Sequence, residues 1–351
     1  MKLKVGVIGT GNWGTTLGLL VANNVKRPNV SKYFEEKVTL WGIEEYHSNE
    51  LLSTIINLEH VNKKYLSGIR LPENLFCTSE ISICADLDII IVAMPHQFIK
   101  KIEDFKGIIK RNCILISVVK GFIDNPDKSI TLISTYLKNT FKCKVCVLMG
   151  ANIATEVAKG SVCEGTLGYE DEESKELSYL LLNSYNYRVT CVKDIPGVEL
   201  VGSLKNIVAL GCGLVEGLGY TGNTKVAIMR NGLMEIRKFL KYFYAESKDE
   251  TIFQSCGIAD LVVSCLEGRN YKYGIMKGKE DTSLEDFEKS MGGQKIQGTG
   301  TAEDIFNFLE YKNRTKDFPL FRTIYSIFIE NSDPSEILRC ISTDSLSDMY
   351  K

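Results

Sequence analysis

The chain has 351 residues, of which 44% are hydrophobic and 25% are charged, a composition typical of a soluble globular protein with about two domains. The formal net charge of -2 gives no electrostatic reason to expect nucleic acid or an anionic membrane as a partner. Eleven cysteines without framework spacing favour a reducing compartment, so we expect a cytoplasmic protein. We expect no apolar run to approach the ~20 residues needed to span a bilayer, and therefore no membrane-spanning helix.

Apolar runs alternate with helical stretches in the amino-terminal half, whereas long apolar and amphipathic segments with few strands follow beyond it. The runs are rich in β-branched residues, which is typical of parallel strands covered on both faces. The pattern predicts an α/β protein, with a doubly wound sheet in residues 1–192 and an all-α domain in residues 193–351. The predicted strands are Lys4–Ile8, Lys37–Trp41, Asp88–Ala93, Cys113–Val118, Lys144–Met149 and Arg188–Val192.

A glycine-rich turn, GTGNWG at Gly9–Gly14, lies directly after the first strand and before a helical stretch. Gly9 permits the turn, Gly11 lets the backbone approach a pyrophosphate, and the helix amides offer donors to phosphates. This context predicts a Rossmann-type site for a dinucleotide; the alternative is an ordinary glycine turn. Glu44 or Glu45, after the second strand, is a candidate partner for an adenine-ribose hydroxyl, which favours NAD as the cofactor.

Two further loops follow strand ends, where ligands bind in open α/β sheets. Lys120 in SVVKG is placed to meet an anion or a carbonyl, or it is an exposed loop lysine. His96 in MPHQF is a candidate acid-base group, although a loop histidine with a local hydrogen bond is the simpler interpretation. The histidines at 47, 60 and 96 lack metal-ligand spacing, so we predict no metal.

Lys205 is the only ionisable residue between two glutamates in the apolar segment ELVGSLKNIVALGCGLVE. One interpretation is a lysine that extends from a core helix to the surface, and the other is an active-site lysine. Its helix opens the second domain directly after the nucleotide-binding sheet, which favours a lysine facing an internal cleft. Asp260, in another apolar helix, is a candidate partner that compensates a buried charge.

Polar residues near glycines in the carboxyl-terminal half predict an anion-binding cleft. Arg269 and Asn270 follow Gly268, and an arginine beside an amide suits phosphate recognition. Lys295 and Gln297 lie on the glycine-flanked loop GGQKIQG.

Eleven short segments in the chain resemble those of the cytosolic NAD-dependent glycerol-3-phosphate dehydrogenases. They occur in family order from the first strand to Phe321. The resemblance implies reversible reduction of dihydroxyacetone phosphate by NADH to sn-glycerol 3-phosphate, in a homodimer. The segments are GTGNWG, VTLWGIEE, PHQFI, SVVKG, LMGANIATEVA, GSLKNIVALGCG, GLGYTGNTK, SCGIADL, GRN, GQKIQG and FPLF.

The resemblance also implies roles for individual residues. Lys205 matches the proton donor and acceptor, Lys120 a lysine near cofactor and substrate, and Asp260 a supporting acid. Arg269 and Asn270 match the substrate-phosphate site. The residues matching cofactor contacts are Gly9, Thr10, Gly11, Asn12, Trp13, Gly14, Phe98, Lys120, Ala154, Arg269, Lys295 and Gln297.

The chain departs from the family pattern at several positions. Ile43 replaces a common aromatic after the second strand, which weakens an expectation of adenine stacking. Ser264 replaces a threonine that bonds substrate and keeps its hydroxyl, so we expect it in the substrate site. Leu266 and Glu267 replace a smaller and less acidic pair, and Glu267 is a candidate modifier of the phosphate field.

Two other functions remain compatible with these motifs. One is a two-domain dehydrogenase acting on a hydroxy acid, whose carboxylate would also accept Arg269. The other is a non-catalytic NAD sensor, which predicts loss of chemical residues such as Lys120, Lys205 and Asp260, and all three are present.

Overall fold

The computed structural model describes residues 1–291 and 295–342, and these residues form two compact units. The first unit consists of Met1–Lys120 and Ile133–Ile195. Among the described residues, the second unit consists of Gly121–Leu132, 196–291 and 295–342. The functional division at residues 192 and 193 stays a prediction, since the compact units divide the chain at other positions.

The strands follow the apolar runs of the amino-terminal half, with further short strands between them. In chain order they are β1 Leu3–Ile8, β2 Phe34–Trp41, β3 Tyr46–His47, β4 Glu50–Leu51, β5 Val61–Asn62, β6 Leu66–Arg70, β7 Leu75–Thr78, β8 Ile89–Val92, β9 Ile114–Ser117, β10 Phe122–Asp124, β11 Ile130–Leu132, β12 Lys144–Met149, β13 Cys163–Gly168 and β14 Tyr187–Val192. All six predicted strands are present.

Helices connect the strands of the first unit and form most of the second. In chain order they are α1 Asn12–Asn24, α2 Leu52–Glu59, α3 Ile133–Phe141, α4 Ala154–Ala158, α5 Glu172–Leu182, α6 Ile195–Gly217, α7 Gly222–Phe243, α8 Asp260–Leu266, α9 Arg269–Glu280, α10 Leu284–Ser290, α11 Gln297–Tyr311, α12 Pro319–Phe328 and α13 Glu336–Ser342. Short 3₁₀ segments lie at Ile81–Asp86, His96–Phe105, Asp249–Phe253 and Thr315–Asp317, and a π-type turn lies at Ser255–Ala259.

The central sheet of the first unit is the predicted doubly wound Rossmann-type sheet. Its strand order is β14-β13-β12-β9-β8-β1-β2-β7, and only the β12–β13 pair is antiparallel. From β1 the chain passes to β2 and β7, and then returns to β8 on the other side of β1. This reversal creates a switch point at the carboxyl ends of β1 and β8, where open α/β sheets bind ligands.

Helix α6 is the core helix of the second unit. Its length and hydropathy are sufficient to cross a membrane, which corrects the expectation that no apolar run approaches that length. The apolar window is nevertheless entirely buried, as in the core helix of a soluble protein. At Gly213 an added Cβ would lie only 2.0 Å from the carbonyl oxygen of Tyr271, so a side chain there would separate α6 from α9.

The described residues after 192 contain helices and turns but no strands, in agreement with the predicted helical domain. The second unit also includes the hairpin formed by β10 and β11, which precedes them in the sequence. Phe122 and Leu132 of this hairpin belong to the apolar core around α6. Tertiary packing, rather than position along the chain, therefore assigns this hairpin to the second unit.

Candidate active site

The glycine-rich turn lies at the switch point of the first unit. Gly9 has a φ of +125° and its N–H donates to the carbonyl of Trp41 at 2.8 Å. A Cβ at Gly9 would lie 2.1 Å from the carbonyl oxygen of Ala93, so only glycine fits this turn. At Gly11, by contrast, an added Cβ would meet no atom within 4 Å, so one side of the turn is open.

Several features next to the turn fit a dinucleotide. Helix α1 begins at Asn12, so its first amides and the positive end of its dipole lie directly after the open glycine. The Thr16 hydroxyl donates to the carbonyl of Ala154 at 3.3 Å, which places the start of α4 against α1. Trp13 packs 6.4 Å from Tyr187 between ring centroids, while Phe98 presents an exposed aromatic ring.

The two glutamates after β2 already have protein partners. Glu44 accepts hydrogen bonds from the amide of Ser53 at 3.2 Å and from its hydroxyl at 2.6 Å. Glu45 pairs with Lys64 at 2.7 Å and accepts from the hydroxyl of Tyr65 at 2.8 Å. A ribose contact by either carboxylate stays a prediction, and it requires an additional or exchanged hydrogen bond.

The other predicted loop residues of the first unit lie beyond the strand ends. Lys120 follows β9 and is partly buried. Burial lowers the pKa of His96, so its imidazole is predominantly neutral near pH 7. Its Nδ1 is buried without a hydrogen-bond partner in the described part of the chain, so the local hydrogen bond expected there is not formed at this atom.

Lys205 is buried in the middle of α6 and forms an ion pair with Asp260. Its ammonium also donates to the hydroxyl of Ser264 and contacts the carbonyl oxygen of Asp260 at 3.4 Å. Asp260 and Ser264 are four residues apart on α8, so their side chains share one face of that helix. The predicted compensation of Lys205 by Asp260 is therefore present, and the interpretation of Lys205 as a surface-seeking lysine is wrong.

Asn270 connects three helices beside this ion pair. Its Nδ2 donates to Oδ1 of Asn206 at 3.0 Å, and its Oδ1 accepts the backbone N–H of Gly298 at 2.9 Å. Asn206 is the neighbour of Lys205 on α6, so the network joins α6, α9 and α11. The Nδ2 of Asn206 is buried with no hydrogen-bond partner among the described residues. An unpaired buried donor is costly unless a ligand satisfies it.

Arg269 is the first residue of α9 and is exposed to solvent. Surrounding protein atoms partly desolvate its guanidinium and lower its pKa, but an arginine remains a cation at physiological pH. Glu267, at the end of α8, is exposed only two residues before it. The phosphate-binding role of Arg269 stays a prediction.

The glycine-flanked loop before α11 is described only in part, since Gly292–Gln294 lie outside the described residues. Lys295 pairs with Glu288 at 2.5 Å, and Glu288 also accepts the N–H of Ile296 at 3.0 Å. Burial alone would raise the pKa of Glu288, but these two donors lower it overall. Gln297 begins α11, so both predicted cofactor contacts lie beside an anchored loop segment.

Sequence reasoning did not identify three polar residues that shape these regions. Asn206 lies in the same apolar segment as Lys205, so the argument that selected the lysine applies equally to it. Glu288 and Asn62 lie in ordinary polar stretches of the sequence. Only the hydrogen bonds that they form in the folded protein distinguish them. In residues 1–291 and 295–342 no cluster of three or more His, Cys, Asp or Glu side chains is arranged to hold a metal ion.

A chain that combines a Rossmann-type sheet and an open glycine turn with a helical unit carrying a buried lysine–aspartate pair is typical of nicotinamide-dependent dehydrogenases. Family models agree with this class. The model of the NAD-dependent glycerol-3-phosphate dehydrogenase N-terminus matches residues 4–175, and the model of its C-terminus matches residues 194–339.

Individual relatives match nearly the whole chain. The cytoplasmic NAD(+) glycerol-3-phosphate dehydrogenase of Bos taurus is 40% identical over 342 residues, covering 96% of this chain and 97% of the relative. The enzyme of the same name from Drosophila virilis is 41% identical over 344 residues, covering 97% and 96%. The structure of glycerol-3-phosphate dehydrogenase from Saccharomyces cerevisiae superimposes with a TM-score of 0.90 at 36% identity, covering 98% and 100%.

The chain belongs to the NAD-dependent glycerol-3-phosphate dehydrogenase family. It is an NAD-dependent oxidoreductase, and NAD is its cofactor.

Proposed function

We propose that the protein catalyses the reversible reduction of dihydroxyacetone phosphate to sn-glycerol 3-phosphate with NADH. The observation that carries the proposal is the buried Lys205, which is held by Asp260 and Ser264 and is followed on α6 by Asn206, whose buried Nδ2 has no partner among the described residues. The names of its relatives support the same reaction and a cytoplasmic location.

The first domain, residues 1–192, holds the cofactor in this proposal. Its open glycine turn and the amides of α1 bind the pyrophosphate, and Phe98 offers an apolar surface for the nucleotide. When bound, NADH supplies the hydride that reduces the substrate carbonyl carbon. The proposed cofactor contacts are Gly9, Thr10, Gly11, Asn12, Trp13, Gly14, Phe98, Lys120, Ala154, Arg269, Lys295 and Gln297.

The second domain, residues 193–351, supplies the proton. In the reducing direction the Lys205 ammonium stabilises the developing alkoxide and donates a proton to it, assistance worth roughly 10²–10⁴-fold. Asp260 compensates the buried positive charge, and the Ser264 hydroxyl fixes the direction of the ammonium. In the reverse direction neutral Lys205 accepts the proton of the substrate hydroxyl.

The substrate phosphate is bound by Arg269 and by the second N–H of the Asn270 amide, whose first N–H is held by Asn206. Asn206 offers its unpaired Nδ2 to a substrate oxygen. Lys120 adds positive charge near the substrate. Binding energy from the phosphate then orients the carbonyl group for reaction. A homodimer is part of the proposal, and nucleic acid, membrane and metal are not.

A substrate comparison tests this function directly. The purified enzyme is given NADH with dihydroxyacetone phosphate, unphosphorylated dihydroxyacetone, pyruvate or no substrate, and NADH oxidation is followed by absorbance. We expect rapid oxidation with dihydroxyacetone phosphate and a kcat/KM lower by several orders of magnitude without the phosphate. Preference for pyruvate indicates a hydroxy-acid dehydrogenase, and binding of NADH without oxidation in every reaction indicates a non-catalytic NAD sensor.

A further inference from the structure

Asn62 lies in the short hairpin of β5 and β6, yet its side chain is completely buried against the glycine-rich turn of the first unit. Its Nδ2 donates to the backbone carbonyl of Thr10 at 2.9 Å and contacts the hydroxyl of Thr15 at 2.8 Å. The same hydroxyl donates to the Thr10 carbonyl at 2.9 Å. One carbonyl of the turn therefore has two side-chain donors.

The orientation of the Asn62 amide follows from its partners. Its Oδ1 accepts the backbone N–H of Tyr65 at 3.0 Å, and an N–H requires an oxygen there. The amide nitrogen must then face the Thr10 carbonyl, which requires a donor. Every contact of this amide joins a donor to an acceptor, so the hairpin holds it in one orientation.

The Thr10 carbonyl determines the direction of the next amide in the turn. In a planar trans peptide the carbonyl oxygen and the following N–H point in opposite directions. Binding of the Thr10 oxygen by Asn62 and Thr15 therefore aims the N–H of Gly11 away from the hairpin. Gly11 is also the position where an added Cβ would meet open space.

We propose that Asn62 is a positioning residue for NAD, which fixes the Gly9–Gly14 turn with its amides directed at the cofactor pyrophosphate. The proposal rests on the assignment of this turn as the pyrophosphate site. Because the Asn62 side chain is completely buried and its amide is bonded to the turn and its own hairpin, it acts by removing the alternative orientations of the Thr10–Gly11 peptide before binding. Preorganisation of this kind raises affinity by lowering the ordering cost of binding.

Calorimetric titration with NADH tests this role in the full-length enzyme. We expect Asn62→Ala to weaken NADH binding about tenfold, the effect of losing one to two hydrogen bonds. With saturating NADH, kcat and the KM for dihydroxyacetone phosphate should stay close to those of the parent. Thr15→Val, which keeps the shape of the side chain, should weaken NADH binding by a smaller factor because Asn62 still binds the Thr10 carbonyl, and Thr15→Ser should recover most of the affinity.

Asn24→Ala is the matched control. Asn24 is also buried and donates to two backbone carbonyls, those of Leu181 and Leu182 at 3.0 and 3.2 Å. It lies at the opposite end of α1, about 18 Å from Asn12 along the helix axis. We expect this variant to lower the melting temperature as much as Asn62→Ala does, with unchanged NADH affinity.

Gly11→Val tests the pyrophosphate site separately from the role of Asn62, because the valine side chain fills the open face of the turn. Unchanged NADH affinity in Gly11→Val would show that the turn is not the pyrophosphate site. Loss of affinity in Gly11→Val, with parental affinity in both Asn62→Ala and Thr15→Val, would overturn the role of Asn62 alone. Equal loss of affinity in Asn24→Ala and Asn62→Ala would also overturn it, since both effects would then reflect stability.

Discussion

Lys205 and Lys277 are both buried lysines of the second unit with carboxylate partners, but the partners differ. The side chain of Lys205 is 4% exposed and that of Asp260 is 5% exposed. Lys277 on α9 is 7% exposed, whereas its partner Asp281 is 78% exposed and lies one turn away at 2.6 Å. Lys277 also donates to Oδ1 of Asn331 at 3.1 Å.

The comparison shows that burial of a lysine does not by itself indicate an active site. Lys277 extends along its helix towards an exposed carboxylate, which is the arrangement that the apolar sequence around Lys205 also allowed. Lys205 instead pairs with groups that are themselves buried, and the next residue, Asn206, has a buried amide donor without a partner in the described part of the chain. Such a charge is expensive to maintain, and this cost favours a function in chemistry.

The largest expected effect is a loss of kcat on replacement of Lys205 but not of Lys277. Lys205→Met should lower kcat for dihydroxyacetone phosphate reduction by roughly 10²–10⁴-fold, because the general acid is lost. Its affinity for NADH should stay near the parental value, and titrated NADH sites give the concentration of folded enzyme. Lys277→Met is the matched control and should retain kcat. Similar loss of kcat in both variants would contradict the comparison.

The next effect concerns stability when each carboxylate loses its charge. Asp260→Asn leaves a buried ammonium without its counter-charge, so urea unfolding should show a loss of about 3–5 kcal/mol in the free energy of unfolding. Asp281→Asn removes an exposed partner and should cost less than about 1 kcal/mol. Equal costs would mean that the burial of the partner does not distinguish these two ion pairs.

A third buried ionisable group, Glu235, sharpens the comparison, because it lies outside the candidate site and forms no ion pair with a lysine among the described residues. Glu235 on α7 is fully buried and accepts the N–H groups of Leu320 at 2.7 Å and Phe321 at 2.9 Å in the first turn of α12. Burial raises the pKa of Glu235 to about 8, although these two N–H groups and Lys238 act in the opposite direction.

This raised pKa predicts a pH-dependent stability. Between the ordinary carboxyl range near 4.3 and about 8, the folded state binds more protons at Glu235 than the unfolded chain does. The contribution of Glu235 to stability is therefore present at low pH and is lost as pH rises, by up to about 1.4 kcal/mol per pH unit. The slope falls off around pH 8, and the change is complete about one to two pH units above it.

Glu235→Gln tests this slope, since glutamine does not titrate. From pH 5 to pH 8 the parent should lose stability relative to the variant, as measured by the difference in their free energies of unfolding. The variant should retain kcat. Exposed Glu303 on α11 supplies the control variant Glu303→Gln, which removes a carboxylate from the surface instead of the core. A difference for Glu235→Gln that stays constant with pH would show that the Glu235 carboxylate stays ionised throughout.

The sequence predicts the sheet well wherever a strand is continuous and β-branched. It does not predict β13, because CEGTLG contains two glycines and no apolar run, nor the four-residue β7. The place of the β10–β11 hairpin in the second unit depends on the packing of Phe122 and Leu132 against residues far along the chain. Local pattern carries no information about such contacts.

The residues of the candidate site are likewise predictable only in part, because local sequence pattern does not show long-range contacts. The pairing of Lys205 with Asp260 follows from the cost of burying one charge in an apolar helix. The residue pattern around Arg269 and Lys295 predicts anion binding, but their particular roles came from family resemblance, since a surface-compatible cation has many possible functions. The roles of Asn206 and Asn62 could not be predicted from the sequence, because they depend on hydrogen bonds to partners 64 and 52 residues away.

The pH dependence of sn-glycerol 3-phosphate oxidation tests the role of Lys205 most directly. The base must be neutral to accept the hydroxyl proton, so the parental kcat should increase as pH rises above neutrality. Substrate deuterated at C2 establishes, through its isotope effect on kcat, that the chemical step limits the rate. The account predicts this increase in the parent and its absence from the residual activity of Lys205→Met. A flat parental profile from neutral to alkaline pH, with the isotope effect fully expressed, would contradict Lys205 as the base.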